Sequence, residues 1–403
     1  MKLPSGWTKS LLHHIAYVQT GLSKSEQRKG PSGKRPYLRV ANVQDGYLDL
    51  TEIKEIDVPV GQLERFLLQK DDIVLTEGGD FDKLGRGCVW KGQIPECVHQ
   101  NHIFAVRVLN KSLLIPQFLA YQMQSNYGRK YFLSCAKQTT NLASVNASQL
   151  KEFPVILPSY EVQKYIVEHL TTWDAAVEKM ERLIGAKQHT KIALMLKLLV
   201  EDNSFKGYRK SWQPFHLGEL FSERCETGHH NLPLLSITGE SGIIFRDGGN
   251  RKDSSSEDKT NYLRICPGDI GYNTMRMWQG VSALSSLEGI VSPAYTVCTP
   301  KNGVDGQFMA YLFKVPRVIN LFYRHSQGLT SDTWNLKFHN FAKIKVTIPD
   351  IEEQKAIVKV LSVCGEEIRL LKMNLEAIKK QKRGLMQKLL TGEWRVKTVG
   401  EVS

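Results

Sequence analysis

The sequence predicts a mixed α/β (α+β) protein: two globular domains in tandem repeat, separated by two long antiparallel coiled-coil helices with pseudo-twofold symmetry. Three observations predict this fold class. They are an internal repeat, a heptad pattern in the helical part of each copy, and a change of charge along each helix. The chain has 403 residues, which is too long for one ordinary core, so length alone already favours two domains.

The second half of the chain repeats the first at an offset of 191 residues. Residues 158–199 align with residues 349–390 without a gap, and 14 of these 42 positions are identical. Weaker similarity continues upstream, where Gln117–Tyr121 matches Gln307–Tyr311. Self-similarity at a fixed period indicates one structural unit written twice. The predicted segments are a first globular domain (1–157), a first long helix (158–200), a second globular domain (201–348), a second long helix (349–392) and a tail (393–403).

The helical part of each copy carries a heptad seam, in which apolar residues recur at alternating steps of three and four. Neither copy contains a proline or a loop signal for about 40 residues after its opening proline, so each helix would be about 60 Å long. A sustained seam of this kind needs a partner helix. The predicted interface residues are Leu170, Val177, Ile184, Leu194 and Leu198 in the first helix and Leu361, Ile368, Leu375, Ile378, Leu385 and Leu389 in the second.

Charge predicts the direction of pairing, because each helix is acidic at its start and basic at its end. Residues 161–181 carry a net charge of −3 and residues 182–199 carry +4, while residues 352–367 carry −2 and residues 368–391 carry +6. Parallel pairing would place like charges side by side, whereas antiparallel pairing places each acidic half beside a basic half. We therefore expect an antiparallel coiled coil within the chain, with a globular domain held at either end. Two helices that each pack only on their own domain are the alternative.

The globular domains combine short strands with few helices. Runs of β-branched and apolar residues bounded by Gly, Asp and Pro indicate the strands, and amphipathic runs indicate the helices. The predicted strands are Tyr37–Val43, Ile73–Thr76, Phe104–Val108 and Val155–Leu157, and the predicted helices are Pro116–Gly128 and Val304–Leu321.

Loops of both globular domains carry side chains that suit nucleic acid. Asn, Gln and Arg can form paired hydrogen bonds with base edges, and Lys and Arg suit phosphates. These loops differ between the two copies, whereas the segments that flank them are similar. This combination favours two domains that recognise different DNA sequences. Ordinary polar surface loops are the alternative. The candidate DNA contacts are Lys34, Arg35, Arg39, Asn42, Gly79, Asp80, Lys83, Arg86, Gln100, Asn101 and His102 in the first domain and Asn273, Thr274, Arg276, Trp278, Gln279 and Tyr295 in the second.

A net charge of +13 and a pI near 9.3 suggest a polyanionic partner, nucleic acid before membrane. The surplus is not concentrated on one surface, however. Residues 1–160 carry +6, the two helices together carry +5, and the residues between the helices carry +2. Because the charge of the helices mostly encodes their pairing, we expect strong DNA binding to need partner subunits.

Several classes of protein are excluded by composition. No apolar run approaches the roughly 18 residues of a membrane span, and the first residues do not form a signal peptide, so a cytoplasmic protein is expected. The seven cysteines are scattered and read as reduced thiols. Cys97 and His99 with nearby His102 lack a fourth ligand at a suitable spacing, so we expect no metal site.

Over essentially its whole length, the chain resembles the specificity subunit of Type I restriction–modification systems. The residues that carry the resemblance are Leu3–Trp7, the pattern Pro-x4-Gln-Lys-x-Ile-Val-x2-Leu in both copies, and Gly384–Gly392. Tyr37–Val43, Pro267–Ile270 and Val291–Tyr295 are also similar to family stretches. One departure is that the first copy ends Leu199-Val200-Glu201-Asp202, without the Thr-Gly that follows the second.

The resemblance implies that each globular domain is a target-recognition domain reading one half of a split, double-stranded DNA sequence. It implies that the coiled coil sets the unread gap and docks two methyltransferase (modification) subunits. It also implies restriction subunits that cut and translocate DNA. S-adenosylmethionine, ATP and Mg would then reside on those partner subunits, with no cofactor in this chain.

Catalytic motifs are not found in the sequence, which has no S-adenosylmethionine loop, no methyltransferase Pro-Pro-aromatic motif and no phosphate-binding Gly-Lys-Ser/Thr loop. We therefore predict a non-catalytic subunit. A metal-dependent nuclease is one alternative, because Asp350 and Glu353 form an acidic string, although both acids are lost in the first copy and a helix-capping box explains them. A coiled-coil interaction scaffold without DNA contact is the other alternative.

Overall fold

The computed structural model describes residues 3–23, 31–79, 84–138, 143–199, 212–239, 241–246, 259–330 and 333–395. Asp80 and Lys83, two of the candidate DNA contacts, lie outside these residues. The chain divides into two compact units, and both divisions fall within the long helices. The first unit comprises residues 1–181 with 374–403, and the second unit comprises residues 182–373. Each unit therefore holds one globular front and half of each long helix.

The front of the first unit is built from short elements. In chain order they are β1 (Thr8–Leu11), α1 (Leu12–Ile15), β2 (Ala16–Thr20), β3 (Ser32–Leu38), β4 (Lys54–Pro59), α2 (Leu63–Phe66), β5 (Ile73–Thr76), β6 (Gly78–Gly79), β7 (Gly87–Val89), β8 (Val98–His99), β9 (Ile103–Val108), α3 (Pro116–Gln124), α4 (Asn126–Cys135), β10 (Lys137–Gln138), β11 (Ala143–Ser144), α5 (Ala147–Lys151) and β12 (Pro154–Leu157). The first long helix, α6 (Tyr160–Leu198), follows.

The front of the second unit repeats this plan. Its elements are β13 (Gln213–His216), α7 (Leu217–Leu220), β14 (Phe221–Glu223), β15 (Leu235–Ile237), β16 (Ile243–Phe245), β17 (Leu263–Ile265), β18 (Ile270–Asn273), β19 (Ser282–Leu284), β20 (Gly289–Val291), β21 (Tyr295–Pro300), α8 (Gly306–Leu312), α9 (Pro316–His325), α10 (Phe338–Phe341) and β22 (Lys345–Ile348). The second long helix is α11 (Ile351–Thr391).

Each unit is centred on a four-stranded antiparallel sheet of the same topology. The strand order is β2-β9-β5-β7 in the first unit and β14-β21-β18-β19 in the second. The entry strand of each front also pairs with the last strand before a long helix, β1 with β12 and β13 with β22. The additional strands differ, because the first unit adds a sheet β4-β3-β8 and the second adds the pairs β15-β16 and β17-β20. The predicted fold class is confirmed: one frame occurs twice, with different attachments.

Equivalent aromatic residues fill the core of each unit. Phe118 and Phe132 are fully buried in the first unit, as are Phe308 and Phe322 in the second. Each such side chain stabilises the fold by about 1.5–3 kcal/mol relative to exposure. The same cores include residues from the ends of the long helices: Leu170, Leu385 and Leu389 in the first unit and Leu194, Leu198 and Leu361 in the second.

A buried glutamine joins each long helix to its own front. The side chain of Gln163 accepts a hydrogen bond from the N–H of Ile115 (3.0 Å) and donates to two backbone carbonyls. Its repeat equivalent, Gln354, accepts from the N–H of Asp305 (2.8 Å) and also donates to two carbonyls. This shared network gives the repeated Pro-x4-Gln pattern a structural reason, because one acceptor carbonyl in each unit belongs to the proline.

The long helices run antiparallel within the first unit. The ammonium of Lys379 lies 2.7 Å from the carboxylate of Glu181, and the ammonium of Lys382 forms an ion pair with the carboxylate of Asp174. The residue number rises along one helix as that of its partner falls along the other. These pairs join the basic end of α11 to the acidic start of α6, as the charge pattern predicts.

The second unit shows the same direction of pairing. The ammonium of Lys187 lies 2.7 Å from the carboxylate of Glu367, and that of Lys191 lies 3.0 Å from where a Cβ on Gly365 would stand. Here the basic end of α6 meets the acidic start of α11. The prediction of antiparallel pairing is thus confirmed within each unit.

The heptad positions lie on the inner faces of both helices. Leu170, Ile184, Leu361, Ile368, Leu375 and Leu389 are buried, and Val177, Leu194, Leu198, Ile378 and Leu385 are half-buried. Outside this seam both helices are rich in charge. Across the described part of the chain, no helix is long and apolar enough to cross a membrane.

Two predicted helices are wrong in the same way, because each is broken in the middle. Pro116–Gly128 is interrupted at Ser125, and Val304–Leu321 is interrupted before Pro316. The backbone of Ser125 is extended (φ −68°, ψ 166°), and its hydroxyl caps α4. In the second unit the proline disfavours a helical conformation of the preceding residue.

The strand predicted over Tyr37–Val43 ends at Leu38. A 3₁₀ turn over Val40–Asn42 replaces its second half, because the side chain of Asn42 accepts a hydrogen bond from the N–H of Arg39 (2.9 Å). Local side-chain capping of this kind competes with strand pairing.

The two residues missing from the first copy's exit have a role at the end of α11. Gly392 has a positive φ of 70°, the usual geometry just beyond a helix C-terminus. A Cβ there would lie 2.3 Å from Pro4. The Thr-Gly thus packs on the N-terminal segment, and the matching exit of the first helix, residues 200–211, lies outside the described residues.

Candidate nucleic-acid interface

In the first unit, the segment that leaves β5 is held on both sides by backbone hydrogen bonds. The N–H of Glu77 donates to the carbonyl of His102 (2.9 Å), and its carbonyl accepts from the N–H of Val145 (2.8 Å). Three segments from distant parts of the sequence, residues 77–79, 100–102 and 143–145, therefore meet at one end of the central sheet. We call this group of residues the first loop edge.

The second unit builds the same arrangement at the end of β18. The N–H of Thr274 donates to the carbonyl of Ala294 (3.1 Å), and its carbonyl accepts from the N–H of Leu336 (2.9 Å). Residues 274–279, 292–295 and 333–336 form what we call the second loop edge. Because the backbone frame is common to both units, differences between the edges lie in the side chains and loop lengths.

His102 and Glu77 form an exposed polar pair on the first loop edge. Nδ1 of His102 lies 2.8 Å from Oε2 of Glu77. The side chains of Gln100 and Asn101 are half-buried and make no hydrogen bond to the described residues. Imidazole and amide groups can donate and accept hydrogen bonds, so this edge can contact the polar edges of bases.

Gly79 and Arg86 lie beside this pair. Gly79 belongs to β6, which pairs with β11. A Cβ on its neighbour Gly78 would lie 2.9 Å from the carbonyl oxygen of Ala143, so the close approach of these strands requires glycine. The guanidinium of Arg86 donates to Gln44 (2.9 Å), which keeps it half-buried.

Arg39 and Asn42 serve the loop that contains them. Asn42 is buried, and its amide donates to the carbonyls of Asp49 (2.8 Å) and Glu52 (3.0 Å). Arg39 donates to the carbonyl of Glu52 and pairs with its carboxylate at 3.1 Å. The hydrogen bond from Arg39, with help from Lys54, lowers the pKa of that carboxyl. In this conformation the structure gives both candidate contacts a local structural role.

Lys34 and Arg35 lie in the middle of β3, opposite Asp57 and Ile56 of β4. The end of β3, in contrast, reaches the first loop edge through the hydrogen bond from the N–H of Gln100 to the carbonyl of Leu38 (3.0 Å). Arg35 is half-buried and lies 3.2 Å from the carboxylate of Glu96. Lys34 is exposed and has no ion-pair partner among the described residues. Of these two, Lys34 is the one available to a phosphate.

The second loop edge uses some of its candidates for shape. Asn273 accepts a hydrogen bond from the N–H of Met275 (3.0 Å), and the hydroxyl of Thr274 donates to the carbonyl of Ala294 (2.9 Å). Tyr295 is half-buried against a small apolar core. These contacts fix the turn that follows β18 rather than leaving the side chains open.

Arg276 and Gln279 are the open candidates of the second unit. Both are exposed, and neither makes a side-chain hydrogen bond or ion pair with the described residues. Arg276 precedes a 3₁₀ turn over Met277–Gln279 and Gln279 ends it, while Met277 of the same turn is buried. Arginine and glutamine on an anchored turn are well placed for base or phosphate contact.

Three aromatic residues pack together beside this turn, and sequence reasoning found only one of them. The ring centre of Trp278 lies 5.2 Å from that of Trp334, which lies 4.9 Å from that of Tyr323. We call Trp278, Trp334 and Tyr323 the aromatic ridge. The offset of 191 residues, carried upstream of residue 158, could have indicated Trp334, because this indole stands where the first copy has Ala143.

In each unit an ion pair with a buried aspartate lies at the opposite end of the central strand from the loop edge. In the first unit Asp72, just before β5, lies 2.7 Å from Arg107, and in the second unit Asp269, just before β18, lies 2.8 Å from Arg224. The hydrogen bond that each arginine donates to its aspartate carboxylate raises the pKa of that arginine. The arginine comes from β9 in one unit and follows β14 in the other, so only the aspartate is common to the repeat.

The structure offers no metal site among the described residues. His99 is buried with Nδ1 3.2 Å from the carbonyl of Phe66, and burial lowers its pKa to about 4. Burial also raises the pKa of the Cys97 thiol to about 12. Both groups are neutral core residues, and exposed His102 pairs with Glu77.

The acidic string at the start of α11 is occupied by helix and core contacts. Asp350 caps the helix by accepting from the N–H of Glu353 (3.0 Å). Glu353 is buried and accepts a hydrogen bond from the indole of Trp212 (3.4 Å). The arrangement is that of a capped, packed helix start and does not favour a nuclease.

Comparison with known proteins gives one consistent family. The family model described as Type I restriction modification DNA specificity domain matches residues 4–187 and 210–380. A putative type I restriction enzyme MjaX specificity subunit from Methanocaldococcus jannaschii is 25% identical, with 98% of this chain and 96% of that protein covered.

Two solved structures share the fold. The specificity subunit of a Type-I restriction-modification system from M. genitalium is 17% identical over 96% of this chain and 98% of its own, with a TM-score of 0.51. The second is a solved structure that concerns complex assembly and conformational transition of the type I R-M system. Its chain is 17% identical, with 98% of this chain and 100% of its own covered, and the TM-score is 0.58.

Proposed function

This chain belongs to the family of Type I restriction modification DNA specificity domains, and from that premise we propose that each of its units reads one half of a bipartite DNA sequence at its loop edge. The chain is the DNA specificity subunit of a Type I restriction–modification system. The observation that carries the proposal is the repeated backbone frame at Glu77 and Thr274, which presents different side chains in each unit. Two readers of unlike half-sites need that combination.

Recognition differs in chemistry between the two edges. The first offers the His102–Glu77 pair with Gln100 and Asn101, which suits hydrogen bonds to base edges. The second offers Arg276, Gln279 and the aromatic ridge, a mixture of charge and apolar surface. We therefore expect the two halves of the target to differ in sequence.

The long helices set the unread gap and dock two modification subunits in this proposal. Restriction subunits would join the same assembly. The modest charge of the fronts supports a need for partners, because +2 on the residues between the helices is too little to hold a duplex strongly. S-adenosylmethionine, ATP and Mg would act on the partner subunits, where methyl transfer and cleavage take place.

Mapping of methylated positions tests the assignment of the loop edges. Genomic DNA is sequenced for methylation in cells that make this chain with its modification subunits. His102→Ala should relax the bases of one half of the methylated sequence, and Arg276→Ala should relax the other half only. As a matched control, Arg383→Ala removes an exposed arginine from α11 and should change neither half. Relaxation of both halves by either single variant would contradict the proposal.

A further inference from the structure

One leucine of the second unit is fully exposed beside a set of cross-strand hydrogen bonds. Leu329 is 101% exposed, more than any other large apolar side chain in the described part of the chain. Single exposed leucines are common on protein surfaces and need no explanation by themselves. Leu329 differs because of the structure that carries it and the residues beside it.

The support is a short hairpin whose arms are residues 327–330 and 333–335. Gln327 and Asn335 exchange two backbone hydrogen bonds of 2.8 Å each. The hydroxyl of Thr333 donates to the carbonyl of Thr330 (2.9 Å) and accepts from its N–H (3.1 Å). Gly328 takes a φ of 143° with the Thr333 carbonyl oxygen 2.6 Å from a would-be Cβ. These bonds join the backbone on the two sides of Leu329 without burying its side chain.

The hairpin is continuous with the second loop edge. Its second arm contains Trp334 and leads to Leu336, whose N–H donates to the carbonyl of Thr274. Trp334 packs edge-on against Trp278 and Tyr323. The indole N–H of Trp334 and the hydroxyl of Tyr323 make no hydrogen bond to the described residues. Large rings with free polar groups are typical of interfaces.

Two exposed arginines are close in sequence to residues of the aromatic ridge. Arg276 precedes Trp278 in its turn, and Arg324 follows Tyr323 in α9. Both arginines are exposed and have no ion-pair partner among the described residues. An exposed apolar side chain with arginines on the neighbouring segments suits a duplex, which presents apolar base and sugar surface between two rows of phosphates.

We propose that this hairpin is a DNA-reading wedge, in which Leu329 packs against the bases of the half-site read by the second unit while the aromatic ridge supports it. The proposal rests on the proposed function of the chain and adds to it a second contact element outside the turn that follows β18. Apolar side chains pressed against or between base steps give preference for deformable or methyl-bearing sequence. The ligand class is double-stranded DNA.

The first unit does not repeat the aromatic ridge that supports the wedge. Its β10–β11 pair, in which Lys137 lies opposite Ser144, is the counterpart of the Gln327–Asn335 hairpin, and Ala143 stands there in place of Trp334. Leu133 stands in α4 where α9 has Tyr323. The wedge should therefore affect only one half of the target.

The experiment measures binding of the assembled complex, this chain with its modification subunits, to a duplex carrying the mapped target. Leu329→Ala should weaken binding about tenfold, equivalent to about 1.4 kcal/mol. It should do so equally at every salt concentration, because an apolar contact releases no counterions. Arg324→Ala, which removes an exposed arginine next to Tyr323 in α9, should instead lower the slope of log affinity against log salt by about one. The matched control is Leu109→Ala. It truncates a 65% exposed leucine that follows β9 in the first unit, at the end of the strand away from the first loop edge, and it should leave the binding affinity unchanged.

Three outcomes would overturn the inference while the proposed function stands. They are unchanged binding by Leu329→Ala, full binding restored by Leu329→Lys, which would indicate phosphate contact, and loss of a modification subunit from the Leu329→Ala complex, which would indicate a protein partner. A wild-type complex with no preference for the mapped target would overturn both the proposed function and the inference. A tenfold loss with Leu329→Ala and with Leu329→Lys, at full subunit occupancy, supports the wedge.

Discussion

The ammonium of Lys382 lies 5.6 Å from the ring centre of Tyr121. A residue of the second long helix, α11, therefore packs on the globular front of the first unit. The hydroxyl of Tyr121 donates to the carboxylate of Asp174 (2.5 Å), which also pairs with Lys382. Three segments of the first unit, α3, α6 and α11, are tied together at this point. A cation over an aromatic face adds about 0.5–2 kcal/mol, depending on burial.

The second unit repeats the cation and the ring but not the carboxylate. Lys191 lies 5.4 Å from the ring centre of Tyr311, and both residues are the repeat equivalents of those above. Gly365 occupies the position that corresponds to Asp174. Burial lowers the pKa of Lys191 in this setting. The two units thus share one joint with unequal electrostatics.

Tyr121→Phe tests the joint of the first unit. It should lower the free energy of unfolding of that unit by about 1–2 kcal/mol, because it removes a hydrogen bond to a charged group. Tyr311→Phe is the matched control, since the hydroxyl of Tyr311 makes no hydrogen bond to the described residues. Hydrogen exchange, followed separately for amides of the first and of the second unit, measures the free energy of unfolding of each unit in both variants. Equal effects of the two substitutions would contradict the assigned role of Asp174.

Gly365→Asp should stabilise the second unit by supplying the missing carboxylate. A Cβ at this position would meet only the flexible end of Lys191. The ion pair should add about 0.5–1 kcal/mol relative to Gly365→Asn, which has the same size and no charge. Urea unfolding of both variants gives the difference. The difference should vanish when Lys191→Met is added, and its persistence would show that the gain has another source.

Gln163→Ala should loosen the junction between α6 and the first front. It removes the acceptor of the Ile115 N–H and the donor for two carbonyls, so the expected loss is about 2–3 kcal/mol. Hydrogen exchange at the Ile115 amide should accelerate while exchange at Asp305 stays unchanged. Gln354→Ala should give the reverse pattern. Gln188→Ala, on the exposed surface of α6, is the control and should alter neither amide.

Acid should destabilise the first unit through His99. Its pKa falls from the ordinary 6.5 to about 4 on burial, so the unfolded chain takes up a proton at a pH where the folded chain does not. Stability from this group is therefore complete above pH 6.5 and is lost as the pH falls toward 4. Between pH 7 and pH 5 the expected loss is about 2 kcal/mol. Urea unfolding at the two pH values measures it, and His99→Asn should remove this part of the pH dependence; an unchanged dependence would refute the assignment.

The repeat made most of the architecture predictable from sequence. Seam residues such as Leu170 and Leu361 recur at one offset, and their burial follows from heptad spacing alone. The reversal of charge gave the direction of pairing, which the contacts Lys379–Glu181 and Lys187–Glu367 confirm. The pairing of two helices that are far apart in sequence could be predicted because a coiled coil shows itself in the local spacing of apolar residues.

The roles of the candidate DNA contacts and of their neighbours were less predictable, because residue type alone does not show which polar groups stabilise the fold of their own loop. Asn42 suits a base edge by its chemistry, yet it is buried and bonded to the carbonyls of its own loop. Trp334 carries no polar signal that motif reasoning would select, yet it lies beside Trp278 in space. Both assignments depend on tertiary contacts between segments far apart in sequence.

The central claim, that two units read two half-sites at a distance set by the long helices, is tested most directly by removing one heptad from each helix. Deletion of residues 178–184 with residues 372–378 takes matched segments from the two antiparallel helices. Methylated positions are then mapped in cells that make the variant with its modification subunits. One heptad corresponds to about 10 Å of helix, so both half-site sequences should stay the same while the gap shortens by up to about three base pairs at 3.4 Å each. A changed half-site sequence, or an unchanged gap with methylation retained, would contradict the account.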